Sequence, residues 1–185
     1  MMSKFAQVAA ASVVALAMAA CTPADDAPPA GSTAEMSSTT LAAALGSDGE
    51  LDSLEQVVAA AGLGPVLEGV GPYTVFAPTD AAFGEAGPGD LASEANRAPA
   101  AALLRAHIVP GALTREDILA AIDREGSGKV EMRTMDDGLL SFSRDGDAVV
   151  VSAPDGATAR LAGEQILARN GVIQPLDGVL VKAGA

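Results

Sequence analysis

The order of the hydrophobic patterns is the feature that most constrains the fold of this chain. Patterns typical of helices fill the first part of an apolar stretch at residues 41–182, and short patterns typical of strands fill its last third. Strands that follow helices, instead of alternating with them, predict an α+β or sandwich arrangement. The stretch spans about 140 residues, the usual size of a single domain.

Apolar spacing and helix-capping signals predict three helices. The first covers residues 51–61, where apolar side chains recur at i, i+3, i+4 and i+7. The second covers residues 96–109, and the third begins at Thr114. Thr114 is predicted as the N-cap of that helix, with Asp117 as its acidic partner in the first turn.

Short apolar runs separated by turn signals predict strands in the last third of the chain. Asp-Gly pairs between several of these runs are typical of hairpin turns. The predicted strands cover residues 130–134, 139–143, 149–151, 171–173 and 179–181. Earlier in the chain, residues 74–77 are predicted as a strand that Pro78 ends, and Thr79 as the cap of a further, short helix that carries Phe83.

The first twenty residues have the pattern of a secretory signal peptide. A short start that carries Lys4 precedes an uncharged apolar run at residues 5–18, and small residues follow before Cys21. That run is shorter than the roughly 20 apolar residues that span a bilayer as a helix. We therefore predict that residues 1–20 are a signal peptide that is removed on export.

Cys21 is the only cysteine, and two kinds of cleavage are open to it. Ordinary signal peptidase could cut after Ala19, whereas lipoprotein processing would attach a lipid to Cys21 and cut before it. An unpaired exposed thiol is unfavourable in an oxidising compartment, which favours lipidation even though Met18 departs from the usual aliphatic residue. Thr22, in place of Asp, favours the outer over the inner bacterial membrane.

Composition separates a linker from the domain and restricts the partners. Residues 21–40 are rich in Pro, Ser, Thr and acids, which predicts a disordered linker after the lipidated cysteine. The whole chain has 11 basic and 24 acidic residues; loss of Lys4 leaves 10 − 24 = −14. This charge argues against nucleic acid and anionic lipid as partners, and leaves cationic or neutral partners open.

Three segments in a fixed order resemble the fasciclin family. They are residues 73–83 (YTVFAPTDAAF), 103–111 (LLRAHIVPG) and 170–181 (NGVIQPLDGVLV). Two positions depart from the family pattern: Ala106 replaces a tyrosine, and Gln174-Pro175 replaces a histidine and an aliphatic residue. Because of Ala106, the integrin recognition credited to animal members is not carried over.

The resemblance implies a fasciclin-type wedge, a β-sandwich with several packed α-helices, formed by residues 41–182 as a single domain. It also implies an adhesion or interaction module with no cofactor and no catalytic centre. The residues that carry the motifs are expected to be structural: Thr74, Phe76, Pro78, Thr79, Phe83, His107, Pro110, Gly111, Asn170, Gly171 and Asp177.

His107 is the only histidine, and its environment in the sequence favours a structural role. It lacks the neighbouring nucleophile that a catalytic base needs and the second histidine or thiol of a zinc site. We predict that its ring nitrogens bond to backbone or hydroxyl groups. We also predict that it ties the Pro110-Gly111 turn to the Pro78-Thr79 corner.

Acidic turns and scarce aromatic residues limit the remaining functions. The aspartates at 136, 137, 145, 147 and 155 lack the spacing of a helix-loop-helix calcium site and are predicted as solvated turns. Aromatic residues form 3% of the chain, with no Trp, so stacking platforms for carbohydrate or single-stranded nucleic acid are not expected.

The lead hypothesis is a lipid-anchored adhesion or interaction module that is displayed at a bacterial surface and is not an enzyme. Its partner would be a protein or polysaccharide of another cell, of a matrix or of the same species. The alternative is a periplasmic or envelope accessory domain that binds a small ligand or an envelope protein. A hydrolase is disfavoured because no nucleophile and base pair is present. The sequence leaves self-association open.

Overall fold

The computed structural model describes residues 37–86 and 91–181. The predicted signal peptide, Cys21 and most of the predicted linker lie outside the described residues and stay predictions. The end of that linker is already part of the fold. The carbonyl oxygen of Thr39 accepts a hydrogen bond from the backbone of Arg169, and Thr40 caps the first helix.

Six α-helices and a short 3₁₀ turn at Glu94–Asn96 form the helical part of the described chain. The predicted capping box between Thr114 and Asp117 is confirmed at the start of the last helix. Within the described part of the chain, every helix is too short or too polar to cross a bilayer. The helices are α1 (Leu41–Leu45), α2 (Asp52–Ala61), α3 (Gly64–Glu68), α4 (Asp80–Ala86), α5 (Arg97–Ala106) and α6 (Arg115–Arg124).

Eight strands form two four-stranded sheets, in the orders β2-β1-β8-β7 and β3-β4-β5-β6. The second sheet is an antiparallel meander, whereas β1 and β8 run parallel in the middle of the first sheet. The strands are β1 (Tyr73–Pro78), β2 (Ile108–Pro110), β3 (Lys129–Arg133), β4 (Leu139–Asp145), β5 (Ala148–Ser152), β6 (Thr158–Arg160), β7 (Ile166–Ala168) and β8 (Gly171–Leu176).

Alternation along β1 divides the interior into two apolar clusters, one on each face of the first sheet. Val75 and Ala77 belong to the cluster formed with α1, α2, α3 and α5. Phe76 points to the opposite face, where its ring lies 5.2 Å from that of Phe142 in the second sheet. Side chains of α6 complete this second cluster. The α+β sandwich fold expected from the sequence is therefore confirmed.

Two predicted elements are wrong. The helix predicted to run to Val109 ends at Ala106, because Ile108 pairs with Val75 as part of the new strand β2. The strand predicted at residues 179–181 is absent, since the backbone N–H of Leu180 bonds to a side chain and not to a neighbouring strand. The short elements α1, α3, β2, β6 and β7 were not predicted.

Candidate functional site

The two end segments of the motif set meet as the central strand pair of the first sheet. β1 and β8 are parallel along their whole length, with Tyr73 opposite Gly171 at one end. The backbones approach so closely there that a Cβ atom on Gly171 would lie 2.0 Å from the carbonyl oxygen of Tyr73. Only glycine fits this contact, which accounts for the residue at the start of β8.

Asn170 joins three segments around this strand pair. Its side-chain oxygen accepts a hydrogen bond of 2.9 Å from the backbone N–H of Leu41 at the start of α1. Its amide group donates to the carbonyl oxygens of Leu67 and Gly69, each at 2.8 Å. The bonds to Leu41 and Leu67 are buried, so they satisfy backbone groups that water does not reach.

Thr74 plays a similar part at the turn after β2. Its hydroxyl donates to the carbonyl oxygen of Gly111 at 2.7 Å and accepts from the backbone N–H of Leu113 at 2.9 Å. Pro110 is the last residue of β2, and Gly111 follows with φ +113, a conformation that favours glycine. The buried hydroxyl therefore fixes the chain reversal between β2 and α6.

The corner after β1 forms as its residues predict. Pro78 is the last residue of β1, and Thr79 then donates its backbone N–H to the carbonyl oxygen of Leu176 at 3.0 Å. The Thr79 hydroxyl accepts from the backbone N–H of Ala82 at 3.4 Å, at the start of α4. This helix places the ring of Phe83 in the helical cluster.

Asp177 links the two sheets directly after β8. Its carboxylate accepts a hydrogen bond of 2.6 Å from the backbone N–H of Arg160, and its own N–H donates to the Arg160 carbonyl oxygen at 3.1 Å. These paired bonds attach the end of β8 in the first sheet to β6 in the second.

His107 is completely buried between α5 and the carboxy-terminal segment. Nδ1 lies 2.7 Å from the carbonyl oxygen of Leu103, and Nε2 lies 2.9 Å from the backbone nitrogen of Leu180. Because a backbone N–H can only donate, Nε2 must accept, and Nδ1 therefore carries the proton that it donates to Leu103. Both nitrogens bond to backbone groups.

The predicted tie made by the His107 ring is wrong. The ring does not link the Pro110-Gly111 turn to the Pro78-Thr79 corner; it links α5 to residue 180. Its backbone carbonyl reaches β1 instead, by accepting from the N–H of Phe76 at 2.9 Å. Thr74 holds the turn after β2, and the His107 ring anchors residue 180 instead.

Burial lowers the pKa of the His107 ring from 6.5 to about 4. Loss of solvation is the dominant cause, because the charged imidazolium loses its water in the interior. The hydrogen bond to the Leu103 carbonyl and the charges of Asp136 and Asp155 oppose the shift without cancelling it. The ring is therefore neutral at pH 7, as its bond from Leu180 requires.

The depressed pKa of His107 predicts a stability that declines in acid. The unfolded ring takes up its proton near pH 6.5 and the buried ring only near pH 4. Above pH 6.5 the ring is neutral in both the folded and the unfolded chain, so His107 does not lower the free energy of unfolding there. The free energy of unfolding should fall by about 3 kcal/mol as the pH drops through this window and level off below it. Urea unfolding across the window measures this change.

The control for this pH dependence is His107→Gln. This variant should lose about 2 kcal/mol at pH 7 through weaker bonds to Leu103 and Leu180. Its stability should then depend less on pH than that of the natural chain, because the titrating ring is gone. Equal slopes in the two proteins would show that carboxylates, not His107, set the acid sensitivity.

The position at which the family resemblance expects a tyrosine lines a shallow depression. Ala106 forms part of the wall of this space of about 230 Å³, together with Leu140, Leu180 and the exposed Leu139. None of the described residues that line this depression is aromatic.

The aspartates of the acidic turns accept hydrogen bonds within their own turns and do not converge on a common point. Asp136 accepts from the hydroxyl of Thr134 and the N–H of Gly138, and Asp155 accepts from the N–H of Ala157 at 2.8 Å. Across residues 37–86 and 91–181, no three His, Cys, Asp or Glu side chains cluster as a metal site would require.

A polar cluster beneath β7 was not predicted from the sequence. The side-chain oxygen of Gln165 accepts from the backbone N–H of Arg115 at 2.7 Å and from the amide of Gln174 at 3.0 Å. Gln174 is completely buried and also donates to the carbonyl oxygen of Leu113 at 3.1 Å. A glutamine within the otherwise apolar run of β8 is the signal that could have revealed this cluster.

Comparison with known proteins connects this geometry to a family. A sequence model of the fasciclin domain matches residues 49–182, which contain every motif residue described above. The chain belongs to the fasciclin family. A solved FAS1 domain pair from the insect cell adhesion molecule fasciclin I has the same fold, with a TM-score of 0.68 and 18% identity. The match covers 78% of this chain and 51% of that one.

The curated proteins that this fasciclin domain resembles differ greatly in length. It is 31% identical over 139 residues to the uncharacterized protein sll1735 of Synechocystis, covering 73% of this chain and 92% of that protein. It is 31% identical to transforming growth factor-beta-induced protein ig-h3 of Sus scrofa and 30% identical to human stabilin-1. The matches cover 72% and 77% of this chain, but only 18% and 5% of those proteins. None of these three carries the name of an enzyme.

Proposed function

We propose that this fasciclin domain is a non-enzymatic adhesion or interaction module, exported and held at a bacterial envelope by a lipid on Cys21. The observation that carries the proposal is the match of residues 49–182 to the fasciclin domain, a module also present in the cell adhesion molecule fasciclin I. The sequence pattern around Cys21 supports export and anchoring.

The geometry of the motif residues agrees with binding and not with chemistry. Both nitrogens of His107 are engaged by backbone groups, and the polar side chains of Thr74 and Asn170 hold turns and strand ends. A histidine that acts as a catalytic base needs a free nitrogen within reach of a substrate proton. Recognition is therefore assigned to the exposed surface, which the motif residues support from within.

A lipid anchor would make weak contacts sufficient for attachment. Many copies on one surface raise the effective concentration for every further contact after the first. The acidic character of the chain, at −13 for the full sequence, favours partners with basic groups. A protein partner on another cell, in a matrix or on a cell of the same species meets this requirement.

Beads that carry residues 22–185 by their amino terminus are expected to attach to at least one of three surfaces: host cells, extracellular matrix or bacteria of the same species. Attachment should be saturable, and free domain should compete for it, because the contacts are specific. Beads that carry an unrelated domain of equal net charge are the control. Beads are counted under the microscope in physiological salt.

Attachment to none of these surfaces would contradict the adhesion role and favour the envelope-accessory alternative. Protease treatment of intact cells separates the two roles independently, because an adhesin must be exposed and an envelope-internal domain is protected. In the same cells, Cys21→Ala should move the protein from the membrane fraction to the soluble fraction if the lipid is its anchor.

A further inference from the structure

The outer edge of β7 is the feature of this domain with the clearest capacity to hold a partner. β7 is the last strand of the first sheet, and among the described residues β8 is the only strand that pairs with it. Directly after β7, the backbone N–H of Arg169 is already bonded to the carbonyl oxygen of Thr39, so the open part of the edge lies before Arg169. Ile166 faces the helical cluster, so Leu167 faces the opposite side of the sheet by strand alternation. A depression lies against β7 on each of these faces, and both depressions include residues 164, 165 and 167.

The depression on the side of the helical cluster is acidic at its rim; we call it the helix-side depression. It has a volume of about 470 Å³, and Leu51, Ile166 and Pro175 contribute apolar walls. Asp48, Glu50 and Glu164 add carboxylates. Glu50 and Glu164 are exposed, and neither forms a salt bridge with another described residue. A basic side chain could place its stem against the walls and its charge at the rim.

The depression on the other face, which we call the α6-side depression, is better suited to an apolar side chain. It has a volume of about 430 Å³ and is lined by Leu119 and Leu167 beside Arg115 and Glu116. The guanidinium group of Arg115 already donates to the carbonyl oxygens of residues 163 and 162, at 3.0 and 3.3 Å. Its charge is therefore committed to holding the loop that leads into β7.

Hydrogen bonds beneath β7 hold this edge in place before any partner arrives. The side chain of Gln165 points inward and bonds to both Arg115 and Gln174. These bonds connect the residue before β7 to α6 and to the neighbouring strand. A strand edge that is already ordered loses less conformational entropy on binding than a flexible one.

From this arrangement we propose that the β7 edge binds an extended segment of a partner protein in which basic and aliphatic residues alternate. The segment adds as a further strand, and its backbone pairs with the outer edge of β7. Successive side chains of a strand point to opposite faces. Basic side chains therefore enter the helix-side depression, and aliphatic side chains enter the α6-side depression. The proposal rests on the interaction role proposed above and specifies the chemistry of the partner.

Charge and proline content decide against the other occupants of this edge. A second copy of the chain brings a net charge of −13 towards an acidic rim. The chain's own residues 21–36 contain three acidic residues, no basic residue and three prolines, and proline cannot donate a ladder hydrogen bond. A basic strand from another protein has neither disadvantage.

The test is the binding of capped octapeptides to residues 22–185, measured by calorimetry at physiological salt. An alternating Lys-Val peptide is expected to bind, and an alternating Glu-Val peptide is not. Two further Lys-Val peptides carry N-methyl groups on all lysine amides or on all valine amides. Because alternate N–H groups of a strand point to opposite edges, one methylated peptide should lose binding and the other should keep it.

The second arm of the test reverses the charge at the rim of the helix-side depression. Glu50→Lys with Glu164→Lys should weaken the Lys-Val peptide at least about fivefold and allow the Glu-Val peptide to bind. The matched control is Asp147→Lys with Glu125→Lys, which makes the same charge change at exposed positions away from β7. This control should retain most of the affinity for the Lys-Val peptide.

Three results obtained with the purified chain would overturn the proposal. They are equal binding of the two N-methylated peptides, equal effects of the two charge reversals, and a stable dimer of the chain that the Lys-Val peptide does not dissociate. Bead attachment that the rim reversal leaves unchanged would also reject this edge, while the adhesion role would stand. Peptide binding without attachment of beads to any surface would reject the adhesion role instead.

Discussion

Gly171→Ala is expected to lower the free energy of unfolding by about 4 kcal/mol or more. The added Cβ would lie 2.0 Å from the carbonyl oxygen of Tyr73 and 2.8 Å from Cδ1 of Leu41. The first obstacle is backbone in the central strand pair, so relief requires β1 and β8 to separate. That separation would disturb the sheet between both apolar clusters. Urea unfolding followed by circular dichroism measures the loss.

Gly84→Ala is the matched control for this substitution. Gly84 lies in α4, and an added Cβ there would meet nothing within 4 Å. Alanine is favoured over glycine in a helix by about 1 kcal/mol, so this variant should be neutral or slightly more stable. A Gly171→Ala protein as stable as Gly84→Ala would show that the strands move apart easily and that the close contact is unimportant.

Asn170→Ala is expected to lower the free energy of unfolding by about 3 kcal/mol. It removes the partner of the Leu41 N–H and of the Leu67 and Gly69 carbonyl oxygens. Buried backbone groups left without partners carry a desolvation penalty that a small apolar side chain does not offset. Because one bond holds the start of α1, we expect the loss to appear also as faster amide exchange in that helix.

The control for Asn170 is the only other asparagine of the chain, Asn96. Its side chain bonds to Ser93 at 3.0 Å at the start of α5, in a partly buried position. Asn96→Ala should lose less than about 1 kcal/mol. Similar losses for the two variants would mean that the three bonds of Asn170 are not a special link between segments.

Local signals in the sequence were sufficient for several elements. The helix at Asp52–Ala61, the capping box of Thr114 with Asp117 and the turns of the second sheet each depend on residues a few positions apart. The fasciclin motifs also identified the α+β fold. Two of their residues are required by that fold: Gly171 by a close backbone contact, and Asn170 by the hydrogen bonds of its buried side chain. The signal peptide and the lipid on Cys21 remain predictions from sequence.

Long-range contacts decided what the sequence could not. The pattern of residues 103–109 was interpreted as the end of a helix, and pairing with β1 makes Ile108 part of β2 instead. The ring of His107 bonds to the backbone N–H of Leu180, far along the chain. The sequence had suggested a link between the Pro110-Gly111 turn and the Pro78-Thr79 corner instead. The β7 edge exists only because α6, β8 and the segment before α2 converge on it. Sequence patterns report the neighbours of a residue along the chain, whereas pairing and burial depend on segments that meet only when the chain has folded.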